Sequence, residues 1–299
     1  MRVQDWLSGR TAIRIGLWIG RHTPKWVGYG LARLVASAFA VARPKVYHRV
    51  LANQVYVLGP EAPERERRRV ARQVIEHAGQ TYYDFFHAFG QPTHILARSV
   101  EISSQFIDQV QAWTAGGQGV LFLGVHMSNF DLGILALGAR GLSGQLLSLA
   151  GPNDGFALLN NLRAMHGFEV TPVTPQSLRV AIRHLKRGGL VMTGVDWPVP
   201  GDGCEVEFFG HPSYLPTGPS QLAWMTGAKV LLGTCHHTPE RGYVLEVKGP
   251  IEMPHTGQRS ENILAGAQLL ARHVEEWIRV YPEQWMMFHP MWANKISGS

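Results

Sequence analysis

The stretch that decides the fold is Gly119-Val-Leu-Phe-Leu-Gly-Val-His126-Met-Ser-Asn-Phe-Asp131. Its first half is a short, continuous apolar run bounded by glycines, which predicts a buried strand over residues 120–125. A helical pattern over residues 131–139 follows. In open α/β sheets, ligands bind outside the carboxyl ends of the strands. The histidine that follows this strand is therefore a candidate functional residue.

Short apolar runs and helical patterns recur along the chain. Residues 190–195 and 229–234 are apolar runs of the same kind, and residues 243–248 alternate as a half-exposed strand does. Helical patterns cover residues 156–166, 177–186, 220–226 and 261–280. Alternating strands and helices predict an α/β fold with a central mixed, mostly parallel sheet flanked by helices. Amphipathic helices are expected before it, at the N-terminus.

Composition narrows the class of protein. The chain has 299 residues, of which 45% are hydrophobic and 17% charged, which excludes a disordered protein. Its two cysteines, Cys204 and Cys235, show neither metal-ligand spacing nor a disulfide framework, so we expect a reducing compartment and no secretion. We expect a single domain over residues 1–299, made of basic surface helices (1–50) and an α/β body (51–299).

The basic charge is confined to the first sixth of the chain. Residues 1–50 contain nine lysines and arginines and one acid, a net charge of +8, whereas the remaining residues carry −2. The same segment contains Trp6, Trp18 and Trp26 among aliphatic residues. A basic, tryptophan-containing amphipathic helix suits the surface of an anionic membrane. The alternative is an ordinary helical hairpin with solvated arginines. Nucleic acid is not expected as a partner, because the rest of the chain is slightly acidic.

His126 and Asp131 form a candidate catalytic pair. If His126 lies in the turn before the helix, Asp131 in the first helical turn can bond one imidazole nitrogen and fix the tautomer. The other nitrogen would then face a pocket. The alternative is structural: Ser128-x-x-Asp131 has the spacing of a capping box, with Ser128 at the N-cap.

A metal-dependent hydrolase is a competing hypothesis. His236-His237, together with the two residues of the candidate pair and Asp196, would supply ligands. Adjacent histidines on a strand point to opposite faces, however. We therefore expect no bound metal.

The motif around His126 resembles the signature of membrane-associated lysophospholipid acyltransferases. More narrowly, it is similar to the branch that contains bacterial lipid A acyltransferases and mycobacterial phosphatidylinositol mannoside acyltransferases. The resemblance runs from about residue 75 to 293. Its further motifs, in chain order, are Gly151-Pro-Asn-Asp154, Asn161-Leu-Arg163-Ala-Met-His-Gly167-Phe168, Val195-Asp196-Trp197, Val206-Glu-Phe-Phe-Gly210, Leu215-Pro-Thr-Gly-Pro-Ser220, Tyr281-Pro-Glu-Gln-Trp285 and Met287-Phe-His-Pro290.

This resemblance implies roles for individual residues. His126 would be the general base and Asp131 its partner. Arg163 would be a cation that lines the site, and Asp196 a structural or substrate-binding acid. The remaining substrate-binding candidates are Asn129, Thr217 and Gly218.

Structural alternatives for these residues stay open. Arg163 can pair with a neighbour on its helix, and Asp196 can cap the turn made by Pro198 and Pro200. Thr217-Gly218 can hold a phosphate through backbone N–H groups at a helix start, or simply begin that helix. Trp277 and Trp285 are expected in the core.

The implied function is O-acyl transfer without a cofactor. A fatty acyl chain would pass from acyl-coenzyme A or acyl carrier protein to a hydroxyl of a glycolipid or phospholipid, such as a phosphatidylinositol mannoside. Aspartate rather than glutamate at Asp131 favours the mannoside branch. The protein would work as a peripheral protein on the cytoplasmic face of the plasma (inner) membrane. The alternatives are a lipid A-type (Kdo-lipid) acyltransferase and a non-catalytic lipid-binding protein of the same fold.

Overall fold

The computed structural model describes residues 10–149, 154–198 and 203–292. Trp6, the Gly151-Pro-Asn stretch and Pro200 lie outside these ranges. The α-helices are α1 (Arg10–His22), α2 (Lys25–Ala42), α3 (Lys45–Val57), α4 (Glu64–Ala88), α5 (Thr93–Leu96), α6 (Ser104–Ala115), α7 (Phe130–Ala139), α8 (Asp154–Arg163), α9 (Pro175–Lys186), α10 (Gly218–Thr226) and α11 (Arg259–Val280). The strands are β1 (Val120–Gly124), β2 (Gly144–Ser148), β3 (Phe168–Pro172), β4 (Leu190–Gly194), β5 (Cys204–Phe208), β6 (His211–Leu215), β7 (Lys229–Thr238) and β8 (Gly242–Ile251).

The central sheet has six strands in the order β3-β2-β4-β1-β7-β8. Five run parallel, and β8 pairs antiparallel with β7. The predicted mixed, mostly parallel sheet is thus confirmed. Two of its strands, β2 and β3, were not predicted, because β2 carries the buried polar residue Gln145 and β3 alternates with Glu169 and ends at Pro172. The antiparallel hairpin of β5 and β6 was also missed.

Both faces of β1 are buried, which explains its continuous apolar run. Leu121 and Leu123 belong to a core that includes residues of α9, α10 and α11. Val120 and Phe122 point to the other face, into a core with residues of α6 and α7. The sheet is therefore the middle of three layers, and its carboxyl edge is the place where polar residues can gather.

The N-terminal helices pack on α4. In α2, the buried residues Gly28, Ala32 and Ala36 lie one helical turn apart and form its contact with the body. A Cβ atom at Gly28 would lie 2.1 Å from the ring of Tyr83, so the close approach of α2 to α4 requires glycine there. Within the described ranges, no helix is both long and apolar enough to cross a membrane.

Asn53 ties α3 to the segment that follows α11. Its buried Nδ2 donates to the carbonyls of Met287 and His289, at 3.1 and 2.7 Å. The backbone N–H of Met291 donates to Asn53 Oδ1 at 3.1 Å. This one amide therefore satisfies three backbone groups and fixes the path of the C-terminal segment.

Replacing Asn53 with alanine should lower the free energy of unfolding by about 2–4 kcal/mol, because buried backbone groups lose their partners. Urea unfolding followed by circular dichroism measures this change. The control is Asn161→Ala on the exposed side of α8, for which we expect a change within about 0.5 kcal/mol. Equal stabilities of the two variants would contradict the tethering role.

Candidate active site

His126 and Asp196 meet at the carboxyl edge of the sheet. Gly124 of β1 lies opposite Gly194 of β4 in the parallel register, and each of the two polar residues follows its glycine by two positions. His126 Nδ1 lies 2.7 Å from Asp196 Oδ1. Neighbouring parallel strands in register thus bring together two side chains that are far apart in the sequence.

The Asp196 carboxylate is completely buried and well supplied with donors. The backbone N–H of His126 lies 3.2 and 3.1 Å from its two oxygens. Trp285 Nε1 donates to Oδ2 at 2.9 Å. These donors fix the orientation of the carboxylate, so Asp196 is held as an acceptor that faces His126.

The imidazole of His126 has one nitrogen committed and one available. A neutral imidazole that donates its proton from Nδ1 to this carboxylate leaves Nε2 unprotonated. No group in the described part of the chain hydrogen-bonds Nε2, and 23% of the side chain is exposed. The rings of Phe130 and Trp197 flank it, each with its centroid 5.1 Å away. This arrangement suits a general base.

Gly194 leaves room for this ring. A Cβ atom at Gly194 would lie 2.8 Å from His126 Cε1, closer than packed atoms approach. Any side chain at that position would displace the imidazole. The glycine at the end of β4 is therefore part of the site.

The predicted hydrogen bond between His126 and Asp131 is wrong. Asp131 instead accepts from Arg163, whose Nε and Nη2 lie 2.7 and 3.2 Å from its two oxygens. The spacing of five residues between His126 and Asp131 suggested a contact that does not form. Asp131 lies in the first turn of α7 and points toward α8, away from the end of β1. Asp196 occupies the position expected of Asp131.

Arg163 is buried between α7 and α8. Its Nη1 also donates to Asn160, three residues earlier on its own helix, at 2.8 Å. Burial opposes the charge of Arg163, but the neighbouring Asp131 carboxylate outweighs burial and raises the pKa of Arg163. The guanidinium carbon lies 5.9 Å from the Phe130 ring centroid, and the same ring packs against His126. Arg163 therefore borders the site through Phe130.

The turn after His126 differs from the predicted capping box. Asn129, not Ser128, is the N-cap of α7, and its Oδ1 accepts from the backbone N–H of Leu132 at 3.1 Å. Asn129 Nδ2 donates to the carbonyl of Thr81 on α4. Because this amide is fully buried, Asn129 stabilises the turn. The sequence prediction, in contrast, had given Asn129 a substrate-binding role.

Ser128 has a strained backbone and two fixed contacts. Its φ angle is 45°, in the left-handed region that favours glycine. Its N–H donates to the carbonyl of Gln284 at 2.8 Å, and its Oγ lies 2.8 Å from His77 Nε2. Burial, and secondarily His237, lowers the pKa of His77 to about 4, so His77 is neutral at physiological pH. These contacts hold the turn that presents His126.

Thr217 and Gly218 lie at the start of α10. Because α10 ends just before β7 begins, its first turn lies toward the carboxyl edge of the sheet. Gln221 Nε2 donates to Thr217 Oγ1 at 2.8 Å. Contact of these residues with a substrate stays a prediction.

The histidines proposed as metal ligands do not gather. Among the described residues, no three His, Cys, Asp or Glu side chains are grouped so that they could hold a metal ion. His236 stacks on Tyr281 with ring centroids 4.7 Å apart, and His237 packs edge-on against Tyr243.

Trp285 and Gly194 are the site residues that sequence reasoning missed. A usable signal existed, since Gly124-Val125-His126 and Gly194-Val195-Asp196 are parallel tripeptides at the ends of two apolar runs. Trp285 ends one of the motifs that carry the family resemblance, but it was expected only to be buried.

The indole of Trp285 can be tested against a second buried tryptophan. Trp285→Phe should lower the free energy of unfolding by about 1–3 kcal/mol more than Trp277→Phe, because a buried carboxylate oxygen loses a donor. Trp277 is the matched control, since its buried Nε1 has no hydrogen-bond partner in the described part of the chain. Urea unfolding measures both. Equal losses would show that the hydrogen bond to Asp196 contributes nothing.

Comparisons with known proteins identify the family of this chain. Residues 5–294 match the family described as bacterial lipid A biosynthesis acyltransferase. Two curated proteins named phosphatidylinositol mannoside acyltransferase are similar. The protein of Mycobacterium tuberculosis (strain CDC 1551 / Oshkosh) is 26% identical over 75% of this chain and 71% of its own. That of Mycolicibacterium smegmatis is 26% identical over 64% of this chain and 63% of its own. The relatives support the branch of phosphatidylinositol mannoside acyltransferases. The chain belongs to the bacterial lipid A biosynthesis acyltransferase family and is an acyltransferase of class EC 2.3.1.

Proposed function

We propose that this lipid acyltransferase moves a fatty acyl chain from acyl-coenzyme A or acyl carrier protein to a hydroxyl of a glycolipid or phospholipid. The names of the relatives favour a phosphatidylinositol mannoside as acceptor over a Kdo-lipid of the lipid A type. The observation that carries the mechanism is the 2.7 Å contact between His126 Nδ1 and Asp196 Oδ1, with Nε2 left available.

In this mechanism His126 Nε2 removes the proton of the acceptor hydroxyl as its oxygen attacks the thioester carbonyl. A new carbon–oxygen bond forms, and the negative charge develops on the carbonyl oxygen. As the carbon–sulfur bond breaks, the proton passes from Nε2 to the departing sulfur. Asp196 stabilises the imidazolium formed between the two steps.

No covalent acyl-enzyme is required. The thiol of Cys235 is a poor nucleophile, since burial raises its pKa. The first turn of α7 offers backbone N–H groups that the helix itself leaves without carbonyl partners. Such donors can stabilise the developing oxyanion.

The Asp131–Arg163 ion pair has a positioning role in this proposal. It joins the first turn of α7 to the end of α8 and fixes Phe130 against the imidazole. We therefore assign the base-orienting role to Asp196 and a supporting role to Asp131.

Asp196→Asn should reduce kcat at least about 100-fold with the fold intact. The amide can present an N–H to Nδ1, which forces the ring proton onto Nε2 and removes the base. Asp131→Asn is the comparison variant and should reduce kcat by less, since it acts through Arg163. His126→Ala should reduce transfer by about 1,000-fold.

Transfer of labelled palmitate from coenzyme A to extracted phosphatidylinositol mannosides measures these rates. Nitrogen-15 NMR of labelled histidine reports the tautomer of His126 in folded protein. Wild-type activity in His126→Ala would disprove the base. A larger kcat loss in folded Asp131→Asn than in Asp196→Asn would reverse the two acidic roles.

We also propose that α1 and α2 rest on the cytoplasmic leaflet of the membrane. The small residues of α2 face the body, whereas most of its large apolar residues are exposed, the reverse of a helix that belongs to a soluble core. Trp26, Leu34 and Val41 are 77%, 67% and 86% exposed, and Trp18 on α1 is 61% exposed. Arg33 is also exposed. Cations and tryptophans on one surface suit anionic headgroups.

Trp18→Ser/Trp26→Ser should weaken partition onto vesicles containing phosphatidylglycerol at least about tenfold, because two large apolar side chains leave the lipid. Vesicle sedimentation measures the partition. The control is Leu264→Ser/Val280→Ser, which removes exposed apolar residues from α11. Equal partition of the two double variants would contradict the assigned surface.

A further inference from the structure

A second feature of the sheet edge has the character of a binding site. A cavity of about 380 Å³ opens where β8 begins, between the first turn of α2, the loop after α5 and the end of β7. His126 is not part of its wall. The lining residues that matter for its chemistry are Lys25, Tyr29, Arg98, His237, Arg241 and Tyr243.

Positive charge dominates this cavity. Four cationic side chains line it, and Glu101 is its acidic one. Glu101 is paired with Arg241, with two contacts of 2.9 and 2.6 Å. Arg140 donates to three backbone carbonyls of the loop that carries Arg98. The side chain of Arg98 is exposed and makes no hydrogen bond or ion pair within the described ranges.

Asp84 lies behind the cavity but does not neutralise it. Tyr29 and Tyr243 both donate their hydroxyls to its Oδ2, at 2.6 and 2.7 Å. Lys25 Nζ is 3.7 Å from its Oδ1, a long contact for an ion pair. Lys25 is also 63% exposed, so its ammonium can turn toward a ligand. The buried acid therefore holds two tyrosines in place, and the cations at the mouth remain in excess.

We propose that this cavity binds the phosphate group of an anionic ligand, with Arg98 and Lys25 as its principal contacts. An arginine and a lysine that converge on one cavity are the usual partners of a phosphate. The volume of about 380 Å³ exceeds that of a bare phosphate ion, so the cavity has room for an organic group on the ligand. A phospholipid headgroup and coenzyme A both have this chemistry.

The surroundings favour the lipid headgroup. Lys25 is followed by Trp26, the most exposed tryptophan of the described residues, so the cavity mouth borders the proposed membrane surface. The cavity is also connected to the active-site turn. Gln284 bonds the backbone N–H and carbonyl of His237 through its side chain, at 2.8 and 2.7 Å, and its own carbonyl accepts from Ser128. A phosphate bound here lies on the same edge of the sheet as the base. This choice of ligand rests on the proposed function.

The test compares two double variants of equal charge. Lys25→Ala/Arg98→Ala removes the cavity cations, and Arg65→Ala/Lys186→Ala removes two exposed cations elsewhere. The probes are dihexanoylphosphatidylglycerol, below its micellar concentration, and coenzyme A, each titrated by calorimetry. Circular dichroism confirms that the variants are folded.

We expect wild-type protein to bind the lipid probe and the cavity variant to bind it at least about tenfold more weakly, with the control changed less than about twofold. The same loss for coenzyme A instead would assign the phosphate to the acyl donor. Absence of binding by both probes, or equal loss in both double variants, would overturn the proposal.

The same titrations on His126→Ala separate this inference from the proposed function. Binding should be unchanged in that variant, because the imidazole does not line the cavity. Retained binding with lost transfer supports both proposals. If the variant still binds the probes and still transfers the acyl chain, only the role of His126 as base is disproved. If transfer is lost and neither probe binds, only the proposed phosphate site is disproved.

Discussion

The burial of the Asp196 side chain, sealed from water, is the constraint on which the site depends. A carboxylate without solvent is stable only where donors replace the water it has lost. Here the donors are the ring and backbone N–H groups of His126 and the indole N–H of Trp285. The donors of His126 come from the end of β1, and that of Trp285 comes from the segment that follows α11. The imidazole of His126 is oriented because the pairing of β1 with β4 and the hydrogen bond from Trp285 hold Asp196 in place.

Much of the fold could be predicted from the sequence, and part of the site could not. Continuous apolar runs predicted the buried strands β1 and β4. The position of His126 after a strand predicted that it belongs to the site. The partner of His126 is set by the strand order, which places β4 beside β1. Local sequence patterns do not predict strand order. Proximity in the sequence therefore favoured Asp131, whereas the contact is made by Asp196. The donor role of Trp285 was hidden because burial alone explains a tryptophan.

Helix α4 connects the N-terminal helices to the site. Its Tyr83 packs against Gly28 of α2, and its Thr81 and His77 contact Asn129 and Ser128 of the active-site turn. One continuous helix of 25 residues thus touches both regions. The helices proposed to meet the lipid and the turn that presents His126 are fixed relative to each other by the stiffness of α4.

The hydrogen bond from Trp285 to Asp196 spans 89 residues of chain. During synthesis, the ribosome must translate past residue 285 before the acid acquires its full set of donors. A nascent chain that stops after β4 contains the histidine but lacks the group that completes its partner. The proposed catalytic pair therefore acquires its full set of hydrogen bonds late in synthesis, once the segment that follows α11 has been translated.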